Sequence, residues 1–288
     1  MGKLLLFPLV CAAVMLAQDN QIRVIAFGAH PDDCDIRAAG TAAQFSKLGH
    51  LVKFVAITNG DAGHQSEGGG ALAKRRRLEA KESGRRLGIE YEVLDNHDGE
   101  LIPAVNVREQ IIRAIRKWNA DLVLAPRPND YHPDHRYTGV LIQDAAYMVV
   151  VPNICPDTPP LRNNPAFFYY EDHFQKPAPF RPDVSIAIDD VWQKKVDVLD
   201  SHVSQFYEWL PWVDHTLEQV PKDPAERKAW LSRTRTPRIN PAVRQALEKW
   251  YGPALGKEVK AAESFELCEY GYQPKEEELK KLFPMLGK

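Results

Sequence analysis

Two short segments of this 288-residue chain are dense in side chains that bind metal ions. Residues 29–33 read AHPDD, and residues 132–135 read HPDH. Imidazole nitrogen and carboxylate oxygen suit a borderline divalent metal such as zinc, and catalytic zinc sites combine three protein ligands with one open position. Neighbouring side chains in a loop cannot both point the same way, so one of Asp32 and Asp33 can bind the metal while the other faces a water that the metal activates. The two segments therefore predict a metal-dependent hydrolytic site.

Hydrolysis of an amide places three demands on such a site. Zinc lowers the pKa of water from about 15.7 to about 7, which no single side chain can do. A carboxylate beside that water removes a proton, and the leaving amine and the developing oxyanion need an acid or a positive group. Asp32 and His132 fit these demands. Asp134 is the natural acceptor for an imidazole N–H, either of His132 or of His135.

The surrounding pattern predicts elements that bring the two segments together. Short apolar runs alternate with amphipathic stretches in the first half of the chain, which is typical of a Rossmann-like, doubly wound, mostly parallel α/β sheet. Strands are expected at residues 22–28, 52–58, 91–94, 121–125, 166–170, 184–188 and 265–270, and helices at 36–48, 71–87, 105–118, 138–149, 191–209, 225–232 and 241–250. The last two helices and the last strand predict a carboxy-terminal helical and strand appendage.

Five histidines follow the ends of predicted strands: His30, His64, His97, His132 and His135. In an open parallel sheet, ligands bind beyond the carboxyl ends of the strands, so these loops are expected to converge on one crevice. Each segment alone also looks like the start of a helix, because Pro31 and Pro133 suit the first helical position. Two such segments at the same end of one sheet favour a shared site over helix starts alone.

The two segments resemble the motifs of the LmbE/PIG-L family of zinc-dependent de-N-acetylases, which act on N-acetylglucosaminyl compounds. The likeness spans about residues 22–150 and returns at residues 201–205, SHVSQ. It implies three ligands for Zn²⁺, namely His30, Asp33 and His135. It also implies that Asp32 is the general base and that His132 stabilises or protonates the tetrahedral intermediate.

The resemblance further implies residues that face the sugar. Arg76 belongs to an R-x-x-E segment that matches the family, and Asp98 to its D-G segment after the third strand. Tyr131, directly before HPDH, either supplies an oxyanion hydroxyl or only packs. The proline-rich segment 152–182 directly follows the helix that HPDH introduces, so we expect it to wall the substrate pocket, with His202 bordering the site.

Composition limits the class of partner. The chain has 37 Lys and Arg residues against 39 Asp and Glu, a net charge of -2, so it lacks the basic field that grips a nucleic-acid backbone. With 44% hydrophobic and 26% charged residues it has a globular composition. We therefore expect a small-molecule amino-sugar substrate and no nucleic acid. The oligomeric state stays open and includes a homo-oligomer.

The amino terminus has the pattern of an export signal. Lys3 precedes an apolar run over residues 4–17, and polar sequence begins at Gln18. A helix of those 14 residues spans about 21 Å, less than the roughly 30 Å of a bilayer core, so no stable membrane anchor is expected. The predicted organisation is a cleavable signal peptide at 1–17 and a single LmbE-like domain at 18–288, with a core at about 22–210 and an appendage at about 211–288. A buried amino-terminal strand or helix is the alternative.

Together these features predict an exported zinc-dependent amidase, periplasmic or secreted, that removes an N-acyl group, with acetyl as the expected group, from an amino sugar or its conjugate. Two alternatives stay open. The same His, Asp, His set can hold Fe(II) in a non-haem iron enzyme, or the chain is a non-catalytic sugar-binding relative. The additional carboxylate of Asp32 disfavours both alternatives.

Overall fold

The computed structural model describes residues 21–237 and 239–287, and the strands in these residues form a single seven-stranded sheet. The predicted signal peptide at residues 1–17 lies outside the described residues. The strands are β1 (Arg23–Gly28), β2 (Leu51–Thr58), β3 (Glu90–Asn96), β4 (Leu122–Ala125), β5 (Ala166–Tyr170), β6 (Val184–Ala187) and β7 (Ala262–Gly271). Their order is β3-β2-β1-β4-β5-β7-β6, and β1 to β5 are parallel. The predicted doubly wound, mostly parallel α/β sheet is confirmed.

Helices cover both faces of the sheet. They are α1 (Asp33–Lys47), α2 (Gly69–Leu87), α3 (Val105–Trp118), α4 (Pro133–Met148), α5 (Trp192–Leu199), α6 (Leu210–Val213), α7 (Pro224–Thr234), α8 (Pro241–Glu258) and α9 (Glu276–Leu282). Successive side chains of a strand point to opposite faces. Val24 and Ala26 of β1 therefore pack in the core on the α1 side, while Ile25 and Phe27 pack in the core on the α3 side. Burial on both faces explains the continuous apolar runs of these strands.

The carboxy-terminal strand is part of the sheet. β7 lies antiparallel between β5 and β6, and Phe265 is the register partner of both Tyr170 and Val184. Phe265 is fully buried, so this late strand completes the core, while α7 packs outside it on α5. Within the described residues, no helix combines the length and apolar composition needed to cross a membrane.

One predicted helix is interrupted. The sequence pattern predicts a continuous helix over residues 191–209, whereas the structure has α5, a break at 200–202 and a π-helical segment, Ser204–Trp209. Glu79 of α2 accepts hydrogen bonds from the backbone N–H and the hydroxyl of Ser204, at 2.9 and 2.6 Å. The prediction of one helix is wrong. The backbone N–H of Ser204, which would form a hydrogen bond within a continuous helix, donates instead to the Glu79 carboxylate of another helix.

A buried arginine holds the beginning of the proline-rich segment after α4. Arg116 of α3 is 4% exposed. Its guanidinium donates hydrogen bonds of 2.5–3.1 Å to the backbone carbonyl oxygens of Met148, Val149, Val151, Ile154, Cys155 and Thr158. One side chain thus satisfies the carbonyl groups of an irregular segment that has few ladder partners of its own.

The substitution Arg116→Gln is expected to lower the free energy of unfolding by about 3 kcal/mol, since several buried carbonyl oxygens lose a charged donor. Urea unfolding followed by circular dichroism measures the loss. Arg113→Gln on the same helix is the matched control, because Arg113 is partly exposed and pairs with Glu109 and Asp157 at the surface. It is expected to change stability far less, and equal losses for the two variants would show that Arg116 is not a structural anchor.

Candidate active site

The loops after β1 and β4 bring three predicted metal ligands into contact. His30 follows β1, Asp33 begins α1, and His135 lies in the first turn of α4. His30 Nδ1 lies 3.2 Å from His135 Nε2. Asp33 lies 3.4 Å from each of these nitrogens, through Oδ2 to His30 and through Oδ1 to His135. Two ligand atoms bound at about 2.1 Å to a tetrahedral zinc ion are about 3.4 Å apart. In this triangle of residues, each pair of facing atoms is therefore spaced as two zinc ligands are, with Asp33 presenting a different oxygen to each histidine.

Carboxylates also face the opposite nitrogens of both histidines. His135 Nδ1 lies 3.1 Å from Asp130 Oδ1. His30 Nε2 lies 3.0 Å from Asp98 Oδ1 and 3.4 Å from Asp134 Oδ2, although it lacks the alignment of a hydrogen bond. A metal-binding histidine usually presents its second nitrogen to such a group, which orients the ring and selects its tautomer. The surroundings of the triangle therefore also fit a divalent metal.

The site carries an excess of negative charge. The carboxylates around the two imidazoles belong to Asp33, Asp98, Asp130 and Asp134. Burial disfavours the charged form of His135, but Asp33 and Asp130 raise its pKa to about 9. Burial also disfavours charge on Asp98, yet interaction with His30 brings its pKa down to about 2. These carboxylates are therefore charged at neutral pH and favour a cation in the space between them.

Asp32, the neighbour of Asp33, contacts a buried arginine. Its Oδ1 accepts a hydrogen bond from Arg76 Nη2 at 2.9 Å, and Arg76 Nη1 lies 3.6 Å from Asp98 Oδ2. Burial raises the pKa of Asp32, and the charge of Arg76 opposes that rise. Arg76 is 2% exposed, so the structure places it inside the cluster rather than at its open side. Its contact with a substrate stays a prediction.

The glycine-rich loop between β2 and α2 packs against this arginine. Arg76 Nη1 donates to the carbonyl oxygen of Gly60 at 3.2 Å. Gly60 has a φ of +71°, and a Cβ there would lie 2.5–2.7 Å from the guanidinium, so glycine is needed for both reasons. The loop is anchored on its other side by Gln205, which donates to the carbonyl oxygen of Gly63 at 3.1 Å. The close approach of this backbone holds Arg76 against Asp32.

His132 completes the cluster from the start of α4. It is the N-cap residue of this helix, and its Nδ1 accepts a hydrogen bond from the backbone N–H of Asp134 at 3.2 Å. Nitrogen atoms of His30, His132 and His135 lie within 4.8 Å of one another. Burial, together with the charges of the other two imidazoles, lowers the pKa of His132. Because Nδ1 is an acceptor, the neutral ring carries its proton on Nε2 and can donate from there.

The two remaining predicted substrate contacts lie at different depths. Tyr131 is 74% exposed, and its ring centroid lies 5.8 Å from those of His132 and His135, so it stands at the rim of the cluster. His202 is fully buried, with Nε2 3.1 Å from Asp35 Oδ2. The structure brings Tyr131 to the open side and does not bring His202 there. The contact of His202 with a substrate stays a prediction.

Two residues inside the proline-rich segment lie beside the candidate metal ligands. Glu171 and Asp172 line a pocket together with Asp33 and His135. These two acidic residues directly follow β5, whose carboxyl end is at the same edge of the sheet as those of β1 and β4. The parallel arrangement therefore places part of segment 152–182 against the site.

The sequence pattern did not predict a role for three residues at or beside the site. Asp130, the partner of His135, stands two residues before HPDH, and a carboxylate so close to a histidine motif is a signal that would have identified it. Arg37 and Arg235, which line an adjoining cavity, have no such signal. They are single arginines on distant segments, and only folding brings them to one cavity.

Known proteins resemble this chain in sequence and in overall structure. The sequence profile of the PIG-L family, described as GlcNAc-PI de-N-acetylase, matches residues 25–146. The diacetylchitobiose deacetylase of Thermococcus kodakarensis is 32% identical over 204 residues, which is 66% of this chain and 73% of that protein. The solved structure of the N,N'-diacetylchitobiose deacetylase from Pyrococcus horikoshii superposes with a TM-score of 0.63 at 27% identity, covering 93% of this chain and 95% of that one. The 4-oxalmesaconate hydratase of Pseudomonas putida is 24% identical over 197 residues, 66% of this chain and 76% of that protein.

Proposed function

The chain belongs to the PIG-L family of de-N-acetylases, and on this premise we propose that it is a zinc-dependent hydrolase that removes the N-acetyl group of an amino sugar or of its conjugate. The observation that carries the proposal is the triangle of His30, Asp33 and His135, with Asp32 held separately beside it. Three protein ligands leave one position open. When bound there, zinc supplies the acidification of a coordinated water, whose pKa falls to about 7.

Asp32 has the features of a general base. Arg76 holds its Oδ1, and within the described chain no hydrogen bond engages Oδ2, which leaves that oxygen to accept a proton. Burial raises the pKa of Asp32, and a carboxylate with a pKa nearer the working pH is a stronger proton acceptor. The same carboxyl group then holds the proton that the leaving amine requires.

His132 has the features of a hydrogen-bond donor to the reacting acyl group. Its Nδ1 is engaged by the helix N-terminus, so the N–H of Nε2 is available as negative charge develops on the acyl oxygen. Removing one such donor typically costs about 10² to 10³ in kcat. Asp98, beside His30, and Tyr131, at the rim, are the proposed contacts of the sugar hydroxyl groups.

The proposal is tested by incubating the purified protein with N-acetylglucosamine, its oligomers and N-acylated glycoconjugates and measuring acetate release. We expect release from at least one compound, its loss to background after chelation, and its recovery on addition of Zn²⁺, because the open coordination position is needed for hydrolysis. Absence of acetate from every compound, with zinc bound at one per chain, would refute deacetylation and favour the non-catalytic sugar-binding alternative. Metal analysis of protein purified without added metal distinguishes zinc from the Fe(II) of the other alternative.

We also propose that residues 1–17 are a cleavable signal peptide and that the enzyme acts in the periplasm or outside the cell. The support is the pattern of a cation followed by a short apolar run and a polar boundary at Gln18. Amino-terminal sequencing of the protein from a cell that exports it should find a start near Gln18. An intact Met1 in the mature protein would contradict export by cleavage.

A further inference from the structure

A cavity of about 280 Å³ adjoins the candidate metal site. Arg37, Glu171 and Asp172 line it, and the same residues line the pocket that contains Asp33 and His135, so the two spaces share a wall. Pockets that hold a whole small molecule usually measure about 300–1,000 Å³. A cavity of this size beside the reaction centre suits a substituent of the substrate rather than the whole substrate.

Most charges on the walls of this cavity are already paired. Lys195 Nζ lies 2.6 Å from Glu263 Oε1. Arg127 donates two hydrogen bonds of 2.6 Å to the two oxygens of Asp172. These buried pairs are neutral as units, so they neither attract nor repel a charged ligand strongly.

Two guanidinium groups on the walls have no carboxylate partner. Arg235, which follows α7, lies 5.3 Å over the ring of Phe206, and its Nε is buried without a hydrogen-bond partner. Arg37 of α1 donates from Nη1 to the backbone carbonyl oxygen of Glu171 at 2.8 Å. In the described part of the chain, no carboxylate lies within ion-pairing distance of either group.

The remaining carboxyl group on the walls belongs to Glu171, which forms no close ion pair with either arginine in the described part of the chain, although the charge of Arg37 acts on it. Glu171 Oε1 accepts a hydrogen bond from the side-chain amide of Asn240 at 3.2 Å, and burial raises the pKa of Glu171. Burial disfavours the charge of Arg235 as well and lowers its pKa. Both arginines are partly buried, and a cation that is partly removed from water is favoured by an ionic partner. An anion entering the cavity would therefore form ion pairs with two guanidinium groups that have none within the described residues.

We propose that this cavity binds an anionic group, a carboxylate or a phosphate, carried by the part of the substrate remote from the N-acetyl group, with Arg235 and Arg37 as its partners. This inference rests on the proposed function, because it treats the cavity as an extension of the same substrate cleft. It narrows the substrate class to acidic amino-sugar conjugates instead of neutral oligosaccharides. The planar guanidinium suits both anions, since it donates two parallel hydrogen bonds to either. Leu199 and Phe206 line the same cavity and provide apolar surface for the group that carries the charge.

The test compares N-acetylglucosamine glycosides whose aglycones are matched in size and are neutral, carboxylated or phosphorylated. We expect wild-type kcat/KM to be at least about tenfold higher for an acidic glycoside than for the neutral one, mainly through KM, because a hydrogen bond to a charged group is typically worth that factor or more. Arg235→Gln should remove most of this preference. Arg233→Gln is the matched control, because Arg233 lies on α7 and is exposed, and it should retain the preference in full. The carboxylated and phosphorylated arms identify which anion the cavity favours.

Calorimetric titration of the full-length protein with inorganic phosphate gives a readout independent of turnover. Phosphate should bind the wild type and Arg233→Gln more tightly than Arg235→Gln. Weaker phosphate binding by Arg235→Gln alone would support the anion site. If in addition no glycoside were deacetylated, the proposed function would be refuted while the anion site stood. Turnover of acidic and neutral glycosides at equal rates, unchanged in Arg235→Gln, would overturn the anion site and leave the proposed function standing. If Arg235→Gln does not unfold cooperatively, Arg37→Gln replaces it, with the same outcomes expected.

Discussion

Replacing Asp32 by asparagine is expected to lower kcat for deacetylation by about 10² to 10⁴ while the amount of bound metal per chain stays unchanged. Asparagine keeps the shape of the side chain and an oxygen for Arg76 Nη2, which lies 2.9 Å from Oδ1, but it cannot take a proton. The triangle of His30, Asp33 and His135 does not include Asp32, so its ligand atoms stay in place. Steady-state kinetics with metal analysis of the same preparation measures both quantities.

Asp95→Asn is the control for this experiment. Asp95 is a carboxylate at the end of β3, and its side chain is 81% exposed, so the same chemical change there should leave both kcat and metal content unaltered. Loss of metal from the Asp32 variant, with metal retained in an Asp33 variant, would reverse the assignment of base and ligand. Full activity of Asp32→Asn would exclude Asp32 as the base.

Replacing Asp33 by asparagine is expected to weaken metal binding by more than about 100-fold and to abolish activity at limiting metal. The carboxylate touches both histidine nitrogens of the triangle, at 3.4 Å each, and a neutral amide is a poorer ligand for a divalent cation. The charges of His135 and His30 hold the pKa of Asp33 well below its ordinary value in spite of burial. Asp33 is therefore negatively charged at neutral pH. Competition with a chromophoric chelator measures the affinity.

Asp130→Asn provides a graded comparison for the Asp33 variant. Asp130 contacts the far nitrogen of His135 at 3.1 Å and not the space inside the triangle. Removing such a supporting carboxylate typically costs about 10- to 100-fold in metal affinity. Asp130→Asn should therefore lower the metal affinity less than Asp33→Asn does. A larger loss for Asp130→Asn than for Asp33→Asn would show that the ligand set has been assigned wrongly.

The sequence by itself determined the elements and the edge of the sheet at which the site lies. Apolar runs flanked by turn residues locate the strands, and the 3.6-residue period locates the helices, because both signals are local. The helix at Val105–Trp118 and the strand at Ala166–Tyr170 have the predicted bounds. The convergence of His30 with His135 followed from a general property of parallel sheets, that all carboxyl ends of the strands share one edge.

Only the tertiary structure decided which partners meet inside that framework. The insertion of β7 between β5 and β6 depends on pairing between distant segments, and a strand pattern does not state its neighbours. The break after α5 depends on the contact of Glu79 with Ser204, which competes with the local helical period.

Long-range packing also explains why Arg76 is buried against Asp32. It explains equally why Arg37 and Arg235 line the same cavity. A charged side chain has no periodic signature, and whether it faces solvent, a carboxylate or an empty cavity is set by the packing of elements far apart in the chain.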